Sequence, residues 1–374
     1  MLVALLATIF VLGLAQADLF ASLLYSELAM QENRDNVVIS PSALRSALGM
    51  AYIGAEGEAA ADLKHVMYLH GDTKNMVLDD FDRDLNIHTP YVELKLAYRL
   101  YVHHNFPIQG AYQSLAIKHF RTAAENVNFD HAEAAAKHMS AYIEAHTAHK
   151  FKDTIQPVDI GTHTKLFLTT GFYFNGKWER PFGKISIRRP FYFTPSDHVP
   201  VMMYGKTDEL LCGDLPDWDA KGVEIPYRTS NLSMLIILPN QRTENLRDLE
   251  KAIRTTDFRT VNNRFERAIV HIEMPQFRVE YQIKLNEVLH AMGLKSLFTN
   301  PDFGSLSHKP GLRISTIKQK GIIDVNIATN DEVHADLEVN LNNTPKNFIV
   351  DHQFMYIIKD PYMVYFVGRV LKLQ

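Results

Sequence analysis

One cysteine, Cys212, stands in 374 residues, so no internal disulfide can form and the fold must rest on buried apolar area. Leu210 and Leu211 precede it, which marks a buried, unreactive thiol. An excess of either charge is also missing. With 39 basic against 43 acidic side chains the net charge is −4, too small to draw the chain to nucleic acid or an anionic membrane. No apolar run reaches the ~20 residues of a spanning helix. A Gly-x-Ser-x-Gly elbow, a phosphate-binding Walker loop and a Gly-x-Gly-x-x-Gly turn are absent as well. Three common catalytic or nucleotide-binding designs fall with them, and no cofactor is expected. Asp302-Phe303-Gly304 spells a kinase tripeptide, but no His-Arg-Asp loop precedes it.

Histidine is plentiful, at seventeen, and is the natural place to look for a metal. His131, His138 and His149 fall near one helical stripe, but spacings of seven and eleven residues set them ~10 Å or more apart at 1.5 Å per residue, too far for one ion. His146 and His149, at i and i+3, could chelate together but have no third ligand in sequence. His103 and His104, if borne on a strand, point to opposite faces. No metal site is expected.

A composition of 46% hydrophobic and 22% charged residues is that of a globular protein with one large core. The first seventeen residues, MLVALLATIFVLGLAQA, carry no charged side chain and end in Ala15-Gln16-Ala17, the small-x-small pattern of a cleaved signal peptide. The mature chain would then start at Asp18 and be secreted. Two glycosylation sequons occur, at Asn231 and at Asn342.

From Asp18 to Glu27, Leu19, Phe20, Leu23 and Leu24 have amphipathic helical spacing. Ser40 and Pro41 read as cap and first-turn residue of a helix ending at Gly54, with a second start after Gly57. Residues 91–103 alternate as a strand, Ala132–Thr147 read as a helix, and KLFLTTGFYFNGKWERPF, nearly continuous in apolar side chains, reads as a strand covered on both faces. From Pro190 the pattern is of short strands and turns. A helix is expected over Leu285–Met292 and a strand over RISTIKQKGIIDVN, and the last strand is MVYFVGRVL. Without Gly/Ser-rich linker or repeat, the chain from 18 to 374 reads as one interwoven α+β domain.

Between the last two strands lies NIATNDEVHADLEVNLNNTP, Asn326 to Pro345. Val333, Ala335, Leu337, Val339 and Leu341 alternate with Glu332, His334, Asp336, Glu338 and Asn340, a strand period with no hairpin partner in sequence.

Taken in order, these segments resemble the serpin superfamily over essentially the whole mature chain. NVVISPSALRSALGMAYIGAEGEAAADL is similar to the family's second-helix signature, and FYFNGKWERPF to its central strand and breach motif, with Trp178. GVEIPY with LSMLIILP, MPQFRVE with LNEVLHAMGLKSLF, KQKGIIDVN and FVGRV follow in the family's order. The resemblance implies three β-sheets, about nine helices and an exposed reactive-centre loop over about 327–353. It also implies a protein that is bait for a serine or cysteine protease rather than a catalyst. The cut loop would insert into the main sheet as a new strand.

The same resemblance places the hinge at Ile327, Ala328, Thr329, Asn330, Asp331, Glu332, Val333, His334 and Ala335, where inhibitory members read roughly Glu-Glu-Gly-Thr-Glu-Ala-Ala-Ala-Ala. Only Ala335 matches the small-residue run, and the hinge glycine is β-branched Thr329. Counted forward from Lys320, insertion turns Asn330, Glu332, His334, Asp336 and Glu338 inward. Counted backward from Phe354, it turns Thr329, Asp331, Val333, Ala335, Leu337, Val339 and Leu341 inward. The bond a protease would cut falls at Asn342-Asn343 or Asn343-Thr344. The family's shutter maps to Ser40, Ala43, Thr170 and Gln319. The expectation is a secreted, monomeric serpin that has lost inhibition and acts as a binding, carrier or decoy protein. A working inhibitor of a secreted protease is the alternative.

Overall fold

The computed structural model describes residues 19–32, 34–71, 73–183, 186–242, 246–327 and 344–373. The signal sequence, hinge residues Ala328 to Ala335, Asn342 and Asn343 lie outside them. Helix α1 covers 19–31, followed by β1 Val37–Ile39, α2 Pro41–Gly54, α3 Gly57–Val66, α4 Lys74–Leu78, β2 Ile87–His88, β3 Val92–His103, α5 Gly110–Phe120, β4 Glu125–Val127 and α6 Ala132–His146. Next come β5 Leu166–Gly176, β6 Ser186–Tyr192, β7 His198–Leu215, β8 Ala220–Pro226, β9 Ser233–Pro239, α7 Arg247–Ala252, β10 Glu266–Pro275, β11 Phe277–Lys284 and α8 Asn286–Ala291. Strands β12 Ile314–Val325, β13 Lys346–Ile349, β14 Phe354–Lys359 and β15 Val364–Val370 complete the order.

Helix α2 begins as its sequence dictates. The Ser40 hydroxyl accepts from the Ala43 amide and Pro41 fills the first turn, so the missing proline N–H costs nothing there. Every residue of α2 is buried, because the helix lies between the sheets and under α5. Gly49 permits that approach: a Cβ there would stand 2.7 Å from the Phe120 ring.

Hydrogen bonds join the strands into two sheets. One has six strands in the order β11-β12-β5-β3-β2, with β4 beside β3. The other has nine, β1-β15-β14-β9-β8-β7-β10-β13, with β6 beside β7. The second and third sheets expected from sequence are thus continuous, because β7 runs for 18 residues and serves both: its first part pairs β6 and its last part pairs β8. Eight α-helices occur among the described residues. The segment after Thr344 is not all loop, since β13 pairs in parallel with β10.

The inner face of the six-stranded sheet packs on the nine-stranded sheet through Phe172, Phe174, Ile323, Val325, Ile236 and Tyr356. Its outer face carries α6, through Met139 and Ile143 against Phe167, Tyr173 and Ile322.

Candidate functional site

The resemblance draws attention to the seam between β5 and β12. Both run the same way and pair directly from Ile314 with Leu166 to Asp324 with Asn175, so no strand stands between them. Side chains alternate across this pair as the pleat requires. Leu168, Thr170, Phe172 and Phe174 of β5 face inward beside Ile317, Gln319, Gly321 and Ile323 of β12, and all eight are buried. Gly321 lies under an aromatic ring: a Cβ there would fall 2.1 Å from Phe172 Cζ.

At the middle of the seam the Gln319 amide joins three elements. Its Nε2 donates to Thr170 Oγ1 at 2.9 Å and to the Ser40 carbonyl at 3.2 Å, and its Oε1 accepts from the Ser40 amide at 2.9 Å. The Ser40 hydroxyl donates to the Tyr365 carbonyl at 2.9 Å and lies 3.2 Å from Ser42 Oγ. Ser40, Thr170 and Gln319 of the expected cluster therefore come together, whereas Ala43 contributes only its amide. Ser42 was missed by sequence reading. It sits in the first turn of α2, where helical spacing alone does not say that a hydroxyl turns inward. Every member is buried, so each donor and acceptor depends on the others.

At the upper end Trp178 is 2% exposed and stacks on Tyr227 at 4.5 Å, with Phe182 edge-on at 5.8 Å. The first hinge residue, Ile327, is fully buried in the same inner cluster as Ile323 and Val325, while Asn326 between them is exposed. The in-out alternation of β12 thus continues through Ile327. Thr344 is exposed.

The outer face is latched by charge. Asp159, on the connector that follows α6, receives the Lys318 ammonium of β12 on one oxygen and Lys284 of β11 on the other at 3.0 Å. Burial pushes the Asp159 carboxyl up, but the hydrogen bonds from Lys318, the Gln156 amide and Lys284 outweigh it and hold it below the usual carboxylate value. Lys318 and Asp159 are 3% and 4% exposed, so neither charge can lose its partner cheaply.

Among the histidines, His146 meets the Tyr142 carbonyl at 2.8 Å and His149 lies 3.7 Å from Glu144. The expectation that His103 and His104 point to opposite faces fails. Strand β3 stops at His103 and the chain turns at His104, so period-2 alternation no longer applies and the two rings stack at 4.5 Å. Cys212 is free and buried, and burial pushes its thiol pKa up, as its apolar neighbours imply.

The sequence matches the family described as Serpin (serine protease inhibitor) over residues 15–373. The chain belongs to the serpin family. Serine protease inhibitor 42Dd of Drosophila melanogaster is 29% identical over 360 residues, covering 93% of this chain and 94% of that protein. Serpin48 of Tenebrio molitor, described as a highly specific serpin, superposes with a TM-score of 0.86 at 28% identity over 97% of this chain and 98% of its own. Human thyroxine-binding globulin complexed with thyroxine shares the fold, with a TM-score of 0.83 at 20% identity over 98% of this chain and 99% of its own. The family holds protease inhibitors and non-inhibitory binders. In this serpin the six-stranded sheet is closed at β5 and β12, with no loop strand between them.

Proposed function

We propose that this serpin is a secreted, non-inhibitory protein that acts by binding, as a carrier or decoy, and that its loop does not enter the closed sheet. The carrying observation is the inner face of the seam. An inserted strand would lie between Phe172 and Phe174 on one side and Ile317 and Ile323 on the other, all fully buried. The count is taken from Ile327, which is buried in the inner cluster. In an antiparallel hairpin the residues that flank a two-residue turn face the same side. The tightest reversal after Ile327 would therefore set Asn330 inward, and with it Glu332, His334, Asp336 and Glu338. Each buried, unpaired carboxylate costs several kcal/mol or must take up a proton. Three of them oppose whatever burial the strand would gain.

A surface cleft supports the binding reading. A cleft of about 660 Å³ is lined by Glu224, Ser233, Arg259, Asn262, Lys359 and Tyr362, a size within the range of small-molecule sites. Lys359 Nζ lies 3.1 Å from Asn262 Oδ1 and 3.4 Å from Glu224 Oε1. The exposed Asn231, in the turn before β9, borders the cleft and carries a sequon. By its name, thyroxine-binding globulin shows one ligand class that this fold can hold.

A second reading, retained inhibition of a secreted protease, draws on the satisfied Gln319 cluster and on the inhibitor named among the relatives. A three-residue turn after Ile327 would present Asp331, Val333, Ala335, Leu337, Val339 and Leu341 inward instead, an almost apolar face. Incubation with a panel of serine and cysteine proteases separates the two. The proposal expects cleavage without adducts, and a complex that survives SDS would overturn it.

A further inference from the structure

His103, His104 and Asp130 are brought together from two separate parts of the chain, and nothing in the proposed binding role uses them. One ligand-capable atom from each lies within 4.8 Å of the other two. His103 Nε2 stands 3.5 Å from Asp130 Oδ1. A tetrahedral ion with bonds of about 2.0–2.1 Å holds its ligand atoms roughly 3.3–3.4 Å apart, so the His103 and Asp130 atoms already have the required spacing. The His104 imidazole has to close by at most about 1.5 Å to reach the same geometry. His104 and Asp130 are both exposed, and a change of side-chain rotamer covers that distance.

We propose that these three residues form a site for a divalent transition-metal ion of the zinc class, which ties the end of β3 to the start of α6. Two imidazoles and one carboxylate are ligands of intermediate softness that suit zinc, nickel or copper rather than calcium or magnesium. The backbone around them is fixed. His103 N–H donates to the Lys165 carbonyl at 2.8 Å and His104 N–H to the Val127 carbonyl at 2.9 Å. The Asp130 amide donates to Asn128 Oδ1 at 3.0 Å, immediately before the first turn of α6. Phe106 and Phe129 pack edge-on against the His103 ring at 6.3 Å and 6.0 Å, which walls off one side of the site from water.

One local bond has to be given up. The Asn105 amide donates to His103 Nδ1 at 3.2 Å, whereas an imidazole that ligates through Nε2 carries its proton on Nδ1. This is an exposed, rather long hydrogen bond, and such bonds contribute little compared with metal ligation. A plain His103–Asp130 ion pair would explain the 3.5 Å contact. It has no need of the second imidazole stacked on the first.

The test is a zinc titration of the full chain in competition with a chromophoric chelator, with H104A, D130N and H138A in parallel. His104 and Asp130 are exposed, so their replacement leaves the core intact, and thermal unfolding without metal checks this. His138, whose Nε2 pairs with Glu125 at 2.6 Å, is the control for other surface histidines. Loss of a second-shell partner costs about 10–100-fold in affinity, so loss of a direct ligand is expected to weaken binding at least tenfold in H104A and D130N. H138A is expected to bind one equivalent like the parent. Zinc should raise the melting temperature of the parent and of H138A but not of the other two. Binding that survives H104A and D130N, or no saturable binding in the parent, overturns the proposal.

Discussion

Gln319 shows how much one buried amide can decide. It satisfies groups on β5 and at the cap of α2 at once, so Gln319→Ala takes their partner from the buried Ser40 amide and Thr170 hydroxyl. The expected loss is roughly 1–3 kcal/mol, read as a lower urea midpoint. Asp159 behaves in a pH-dependent way for the same reason. Its folded pKa lies below the unfolded value near 3.8, so the stability it contributes is present above that value and is lost as pH falls through the folded one. Asp159→Asn removes that acid-sensitive part and leaves Lys318 buried without its counter-charge. The variant should be less stable at neutral pH by roughly 3–5 kcal/mol and should lose less on acidification below about pH 5. Urea midpoints measured across that range check both signs.

At the scale of elements the seam is the feature that sequence made most legible. KLFLTTGFYFNG reads as a strand buried on both faces, and β5 occupies the centre of its sheet. The cap of α2 was equally plain in Ser40 and Pro41. Helix α5 was not, because Gln109 supplies no side-chain cap and no start signal marks it. The length of β7 was hidden by Lys206 and Asp208, charges that break its apolar pattern and whose side chains are buried with partners, each other at 3.1 Å and, for Asp208, Arg180 at 2.6 Å. Of the site, Ser40, Thr170, Gln319 and Trp178 could be placed from the resemblance. Ser42 and the stacked His104 could not, since each depends on where a helix begins or a strand stops. The close fit of Gly321 beneath Phe172 also appears only in three dimensions. Gly321→Ala should force β5 and β12 apart locally and cost about 1–3 kcal/mol through overpacking, visible as a lower denaturation midpoint.

Across the whole molecule, the two sheets and the amide cluster between them hold β5 against β12, and the Asp159 latch ties β12 and β11 to the connector after α6. In the proposed register, the acidic residues of the loop that could part β5 from β12 would face the apolar interior on insertion. On the proposed reading, such a serpin gains nothing by taking up its own loop after cleavage. The most direct measurement is thermal unfolding before and after the loop is nicked, for example by a glutamyl endopeptidase at Glu338-Val339. Non-insertion predicts that the melting temperature of the nicked protein stays within about 2 °C of the intact one, the order of shift that ~1 kcal/mol produces in a domain of this size. A rise of about 20 °C or more, far beyond what local changes supply, would mean that the strand had entered the sheet and would contradict it.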